Sequence, residues 1–159
     1  MCHGNIWRSP YAAAVLRREL ARIGRESVQV SSAGLIGPGR LSPEGAVAEA
    51  ARRGIDLSGH RSRVVTPGDV AAADLVVVMD TTQERAVRAR QQGAERMILL
   101  LGDLDPEPVD MRAIPDPDGQ PPEVCQASYT RLDRCVRELV SLLPPPATTL
   151  LSSIPIANT

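Results

Sequence analysis

A chain of 159 residues with a formal net charge of −1 is long enough for one domain with a real core, and its near-neutral balance argues against a bulk nucleic-acid or membrane-surface binder. Phe is absent and the aromatics are Trp7, Tyr11 and Tyr129, so the core must come from Leu, Val, Ile and Ala, and single-stranded bases have no stacking platform. Three cysteines, without a signal peptide or a long apolar span, do not make a disulfide framework, and the compartment implied is the cytoplasm.

The first ten residues carry the densest chemistry. Cys2 and Arg8 enclose His3-Gly4-Asn5-Ile6-Trp7, and a helical pattern begins immediately afterwards, with Ser9 expected as its cap and Pro10 in its first turn. Such a loop turns backbone N–H groups and the positive end of a helix dipole toward one spot, which suits a phosphate-like anion. An arginine fork on its rim adds bidentate recognition of a tetrahedral oxyanion. The same positive field favours the thiolate, the nucleophilic form of a cysteine. Gly4 permits the tight turn and Asn5 can bond backbone groups across it.

From Tyr11, apolar residues Ala12, Leu16, Leu20 and Ile23 recur at helical spacing until Gly24. Val28–Ser32 reads as a short strand leading into Ala33-Gly34, and Leu35 to Leu41 as a loop. Ser42-Pro43 opens a second helix that ends near Gly54, and Thr66-Pro67 a third. Asp74–Met79 is a continuous apolar run, as expected of a strand covered on both faces. Asp80-Thr81 cap a helix to about Gln92, and Arg96–Leu101 is the next buried strand. Residues 102–122, rich in Pro, Asp and Gly, form an irregular loop before a long helix from about Glu123 to Leu143. Its apolar stripe is Leu132, Cys135, Val136, Leu139, Val140 and Leu143. The domain therefore spans 1–143, and 144–159 is expected to be a disordered tail.

Strands alternating with helices predict an α/β fold, an open and mostly parallel sheet with helices on both faces. Ligands in such folds sit at the carboxyl ends of strands, where a loop leaving a strand and opening a helix belongs. Only Met1 stands ahead of Cys2, so the strand that should deliver the loop is expected to be missing from this sequence.

In order and spacing, these features resemble the low-molecular-weight protein tyrosine phosphatase family, bacterial type. The resemblance rests on Cys2–Pro10, Ser32-Ala33-Gly34, Gly54–Arg63 with its Ser58-Gly59-His60, Val78-Met79-Asp80, and Ile114-Pro115-Asp116-Pro117-Asp118-Gly119. It implies hydrolysis of phosphotyrosine in protein substrates through a phosphocysteine intermediate. Cys2 would be the nucleophile, Arg8 and the loop from His3 through Gly4, Asn5, Ile6 and Trp7 to Ser9 the phosphate cradle, and Asp116 the general acid. Ser9 would stabilise the thiolate, and Asn5 and His60 would brace the loop. No cofactor or metal is implied, and neither nucleic acid nor membrane is an expected partner.

The departures from the family pattern are equally informative. Trp7 stands where many members carry a second loop cysteine, and Asp118-Gly119 replace aromatic residues that often follow the Asp-Pro pair. Ile6 agrees with tyrosine-directed members, whereas phosphoarginine-directed relatives tend to carry Thr there. Two alternatives stand beside this reading: an impaired phosphoprotein-binding remnant, and an arsenate reductase relaying a disulfide through Cys125 and Cys135. On one helix those two would be about 15 Å apart, too far for a direct bond.

Overall fold

Leu75–Val78 and Met97–Leu100 are short, apolar and rich in branched side chains, and they pair as parallel strands β1 and β2. Their register runs from Leu75 opposite Met97 to Val78 opposite Leu100. The computed structural model describes residues 1–91 and 95–143. Around the strands lie α1 (Arg8–Arg22), α2 (Glu44–Arg52), α3 (Pro67–Ala72), α4 (Thr81–Arg88) and α5 (Pro122–Leu142), with a 3₁₀ turn at Leu101–Leu104 after β2. The expected tail, 144–159, lies outside the described residues, and the helix after Asp80 ends at Arg88, short of the expected end near Gln92.

The side-chain alternation of a strand splits the core in two. Leu75, Val77 and Leu99 face a cluster built from α1, α2 and α5, centred on Tyr11, Val15, Tyr129, Leu132 and Cys135. Val76, Val78, Ile98 and Leu100 face a second cluster with Val65, Val70 and Val87 from the α3 and α4 side. Helices therefore cover both faces, as the α/β reading expects. Tyr11 and Tyr129 stack at 4.0 Å between ring centroids, joining α1 to α5. Among the described residues no helix is long and apolar enough to cross a membrane.

Beyond β1 the sheet continues as single parallel bridges, Cys2 with Gly34 and Gly34 with Val64, while the Met1 amino group donates to Val77 O. Cys2 thus sits between Gly34 and β1, at the carboxyl end of the parallel array. The strand expected over Val28–Ser32 is absent: a strand needs a ladder, and Cys2 N–H to Ala33 O at 3.3 Å is the local backbone bond. The Arg17 guanidinium instead takes the Val30 carbonyl at 2.9 Å.

Local chemistry explains the helix starts. Thr66 and Asp69 form a reciprocal capping box on α3, and the Asp80 carboxylate accepts from Gln83 N–H to cap α4. Two starts differ from expectation. Helix α1 begins at Arg8 with Trp7 as its cap residue, so Ser9 lies inside the first turn and caps nothing; α2 begins at Glu44 behind Pro43, without a side-chain cap.

Candidate active site

Freed from capping, the Ser9 hydroxyl turns toward the nucleophile candidate. Cys2 is 2% exposed, and its Sγ lies 3.1 Å from Ser9 Oγ. Asn5 Nδ2 donates to that same oxygen at 2.9 Å, which leaves the hydroxyl proton for sulfur. The Ser9 hydroxyl is thus placed to donate to Cys2 Sγ.

Asn5 holds the loop in shape. It adopts a left-handed backbone conformation, φ 52°, which asparagine tolerates better than most residues, and it is wholly buried. Its Nδ2 also donates to Ser32 Oγ at 2.9 Å, and its Oδ1 accepts from Arg63 N–H at 3.0 Å. His60 Nε2 donates to the Asn5 carbonyl at 2.7 Å. On the outer side His3 O accepts from Leu35 N–H at 2.7 Å, tying the loop to the segment after Gly34. Asn5 and Ser9 thus close around Cys2 within the loop, and His60 reaches Asn5 from a distant part of the chain.

That close approach depends on Gly34. A Cβ there would lie 2.7 Å from His3 O and 2.9 Å from Asn5 N, both backbone atoms that cannot swing aside. Gly34→Ala is expected to force the loop away from its support, at a cost of about 1–3 kcal/mol. A thermal melt of the variant checks this, with Tm lowered by about 2–4 °C per kcal/mol for a chain of this size; an unchanged Tm would show that the loop shifts freely.

Arg8 is 3% exposed. Its Nη1 donates to Ile114 O at 2.9 Å, Nη2 pairs with Asp116 Oδ2, and Asp80 Oδ2 stands 3.8 Å from Nη1. Arg8 Nε is buried with no hydrogen-bond partner among the described residues. A cation so placed is suited to an anion that brings its own acceptors. Asp116, with its side chain 41% exposed, stands at the mouth of a cleft of about 340 Å³ that His3, Arg8, Leu35, Asp80 and Gln83 also line.

The segment carrying Asp116 is pinned from both sides. Ile114 N–H donates to Met79 O at 3.0 Å, just past β1, and Ser128 Oγ donates to Pro115 O at 3.0 Å from α5. Arg131, also on α5, donates to the carbonyls of Met111 and Ala113 at 2.7 and 2.8 Å and to Asp105 Oδ2 at 2.9 Å. The hydrogen bond from Arg134, with the Glu107 N–H and the nearby Arg131 charge, keeps the Asp105 carboxyl below its ordinary range. Arg131 was missed by sequence reasoning, although an arginine among the buried Ser128, Leu132 and Cys135 was a readable signal. Ser32 and Asp80 were also missed as neighbours of the site, Asp80 because capping explained it fully.

Ile6 is buried against Gly4, and the Arg40 guanidinium lies beside Gly4 on the loop's outer rim. Trp7 packs over Gly45 of α2 and its indole Nε1–H donates to Asp118 Oδ1 at 3.0 Å. Cys125 and Cys135 are buried free thiols, and burial pushes both up to about 11, the reverse of what a disulfide relay needs. A larger cavity of about 830 Å³ runs along α5 between Arg53, Glu123, Gln126 and Arg134; none of the candidate residues lines it.

Comparison with known proteins agrees with this geometry. A family model described as low molecular weight phosphotyrosine protein phosphatase matches residues 1–147. The chain is 38% identical over 109 residues to the probable low molecular weight protein-tyrosine-phosphatase EpsP of Ralstonia nicotianae, covering 66% of this chain and 70% of that one. The tyrosine phosphatase Wzb of Escherichia coli K30, solved in complex with sulphate, superposes with a TM-score of 0.73 at 29% identity, covering 88% of this chain and 92% of that one. The YwlE arginine phosphatase of Geobacillus stearothermophilus superposes with a TM-score of 0.75 at 27% identity, covering 88% and 87%.

Proposed function

This chain belongs to the low molecular weight phosphotyrosine protein phosphatase family and is a phosphomonoester hydrolase of that type, and on that premise we propose that Cys2, Arg8 and Asp116 carry out the hydrolysis of phosphotyrosine in protein substrates. The Cys2 thiolate attacks phosphorus in line with the tyrosyl oxygen. As the S–P bond forms and the P–O bond breaks, Asp116 gives its proton to the departing phenolate. Arg8 and the backbone amides from His3 to Arg8 hold the equatorial oxygens while charge shifts between them. Asp116, now ionised, takes a proton from water, which attacks phosphorus, breaks the S–P bond and returns the thiolate with release of phosphate.

The observation that carries this reading is that Arg8, whose buried Nε has no hydrogen-bond partner among the described residues, and Asp116, on a pinned loop, line one cleft together with His3, the neighbour of a buried thiol that a serine hydroxyl contacts. Before substrate binds, Arg8 and Asp116 pair with each other. The phosphoryl group therefore displaces Asp116 from the fork, and the acid is left facing the leaving oxygen.

Phosphotyrosine is favoured over phosphoarginine by Ile6, whose apolar side chain sits at the loop position where arginine-directed relatives tend to carry Thr. The test is phosphate release from matched peptides bearing phosphotyrosine, phosphoarginine or phosphoserine. Release from the phosphotyrosine peptide well above the other two is expected; a preference for phosphoarginine contradicts the substrate assignment.

A further inference from the structure

Two departures from the family pattern, an indole at position 7 and a carboxylate at position 118, meet each other. Trp7 Nε1–H donates to Asp118 Oδ1 at 3.0 Å, across 111 positions of sequence. Asp118 N–H in turn approaches Asp116 Oδ1 at 3.4 Å, and Asp116 Oδ2 meets Arg8. Trp7 and Arg8 are consecutive, so two adjacent residues of the anion loop hold the two carboxylates of Asp116-Pro117-Asp118, closing a ring of contacts. Trp7 is itself fixed: its ring lies against Gly45, where a Cβ would stand 3.1 Å from the indole, and its carbonyl accepts from the buried Tyr129 hydroxyl at 3.3 Å.

The two grips behave differently when substrate arrives. Arg8 must release Asp116 to hold the oxyanion, and Asp116 must be protonated to act as an acid. The Trp7–Asp118 contact needs neither change. We propose that Trp7 and Asp118 form a clasp that keeps the acid-bearing loop closed over the cleft after Arg8 has let go, making both positioning residues for Asp116. The inference rests on the phosphatase reading above. An uncharged indole N–H serves the purpose, because unlike a second cation it does not compete with Arg8 for the phosphoryl group.

The test compares Asp118→Ala, Asp118→Asn, Trp7→Phe and Trp7→Phe/Asp118→Ala in the full-length protein, on a phosphotyrosine peptide and on an activated aryl phosphate. Asp118→Ala and Trp7→Phe are each expected to lower kcat on phosphotyrosine by about 2- to 10-fold, the rate equivalent of one hydrogen bond. They slow the activated substrate less, because a good leaving group has little need of the acid. The double variant is expected to be no worse than the poorer single one, and Asp118→Asn, whose amide oxygen still accepts, to stay near the parent.

Equal slowing of both substrates, additive losses, no loss in Asp118→Ala, or an Asp118→Asn as poor as Asp118→Ala overturns the clasp. Trp7 is the only tryptophan, so its indole N–H resonance reads the contact independently of turnover. A parent inactive on both substrates contradicts the phosphatase reading. The indole resonance then decides the clasp alone, and identical positions in parent and Asp118→Ala overturn it.

Discussion

Cys2→Ser is expected to abolish turnover while leaving the anion cradle able to bind phosphate or vanadate. The hydroxyl is a far weaker nucleophile at neutral pH than a thiolate, and the hydrogen bonds that run from Asn5 Nδ2 through Ser9 to position 2 do not ionise an alcohol. The substitution is nearly isosteric and the position is buried between Gly34 and β1, so the loop keeps its shape. Steady-state assays on phosphotyrosine and on an activated aryl phosphate, with anion affinity measured in parallel, check both halves. Loss of turnover with anion binding retained separates chemistry from folding. Equal activity in Cys2→Ser and the parent would end the assignment of the nucleophile.

The second large effect concerns the acid. A phenolate leaving from tyrosine needs a proton in the transition state, whereas a strongly acidic phenol departs as the anion. General acid catalysis contributes typically about 10²–10⁴-fold, so Asp116→Asn is expected to slow phosphotyrosine hydrolysis by that range and an activated aryl phosphate distinctly less. The structure adds a complication with a readable sign. Asp116 pairs with Arg8 when no substrate is bound, so removing its charge frees the guanidinium for the incoming anion. The loss should therefore appear in kcat, with KM unchanged or lower. Asp118→Asn is the control, since it lies two residues away and keeps its hydrogen-bond acceptor. A crippling Asp118→Asn beside a mild Asp116→Asn would reverse the roles assigned within this loop.

The contacts within the candidate loop were largely legible because they are local. Cys2, Gly4, Asn5 and Arg8 lie within seven residues, and the need for a tight turn, an anion field and a guanidinium constrains that stretch by itself. Ser9 shows the limit of local reasoning. Cap statistics assign a serine before a proline to the helix start, but the helix begins one residue earlier and the hydroxyl's partners lie across the loop. His60 and Asp116 carried no signal of their own and were placed by resemblance; the fold brings one to the Asn5 carbonyl and the other to Arg8.

Pairings between distant residues were out of reach. Trp7 and Asp118 each read as a departure, and nothing in their separate positions announced a hydrogen bond between them. The strand expected over Val28–Ser32 failed for a related reason. A β-pattern records what a segment prefers, while a strand also requires a ladder of bonds to a neighbour, and residues 28–32 make none among the described residues. Asp74–Met79 had such a neighbour in β2 and folded as its apolar run suggested, with its outermost residues left out of the ladder.

The central claim is that phosphate passes through Cys2. Rapid acid quench of Asp116→Asn during turnover of an activated aryl phosphate, whose first step has little need of the acid, followed by mass spectrometry of the N-terminal fragment, tests it most directly. Without the carboxylate that activates water, the second step slows, and a phosphoryl group is predicted on Cys2 and on no other residue. Phosphate released at the parent rate with Cys2 never phosphorylated, or a phosphoryl group found on another side chain, would contradict the account.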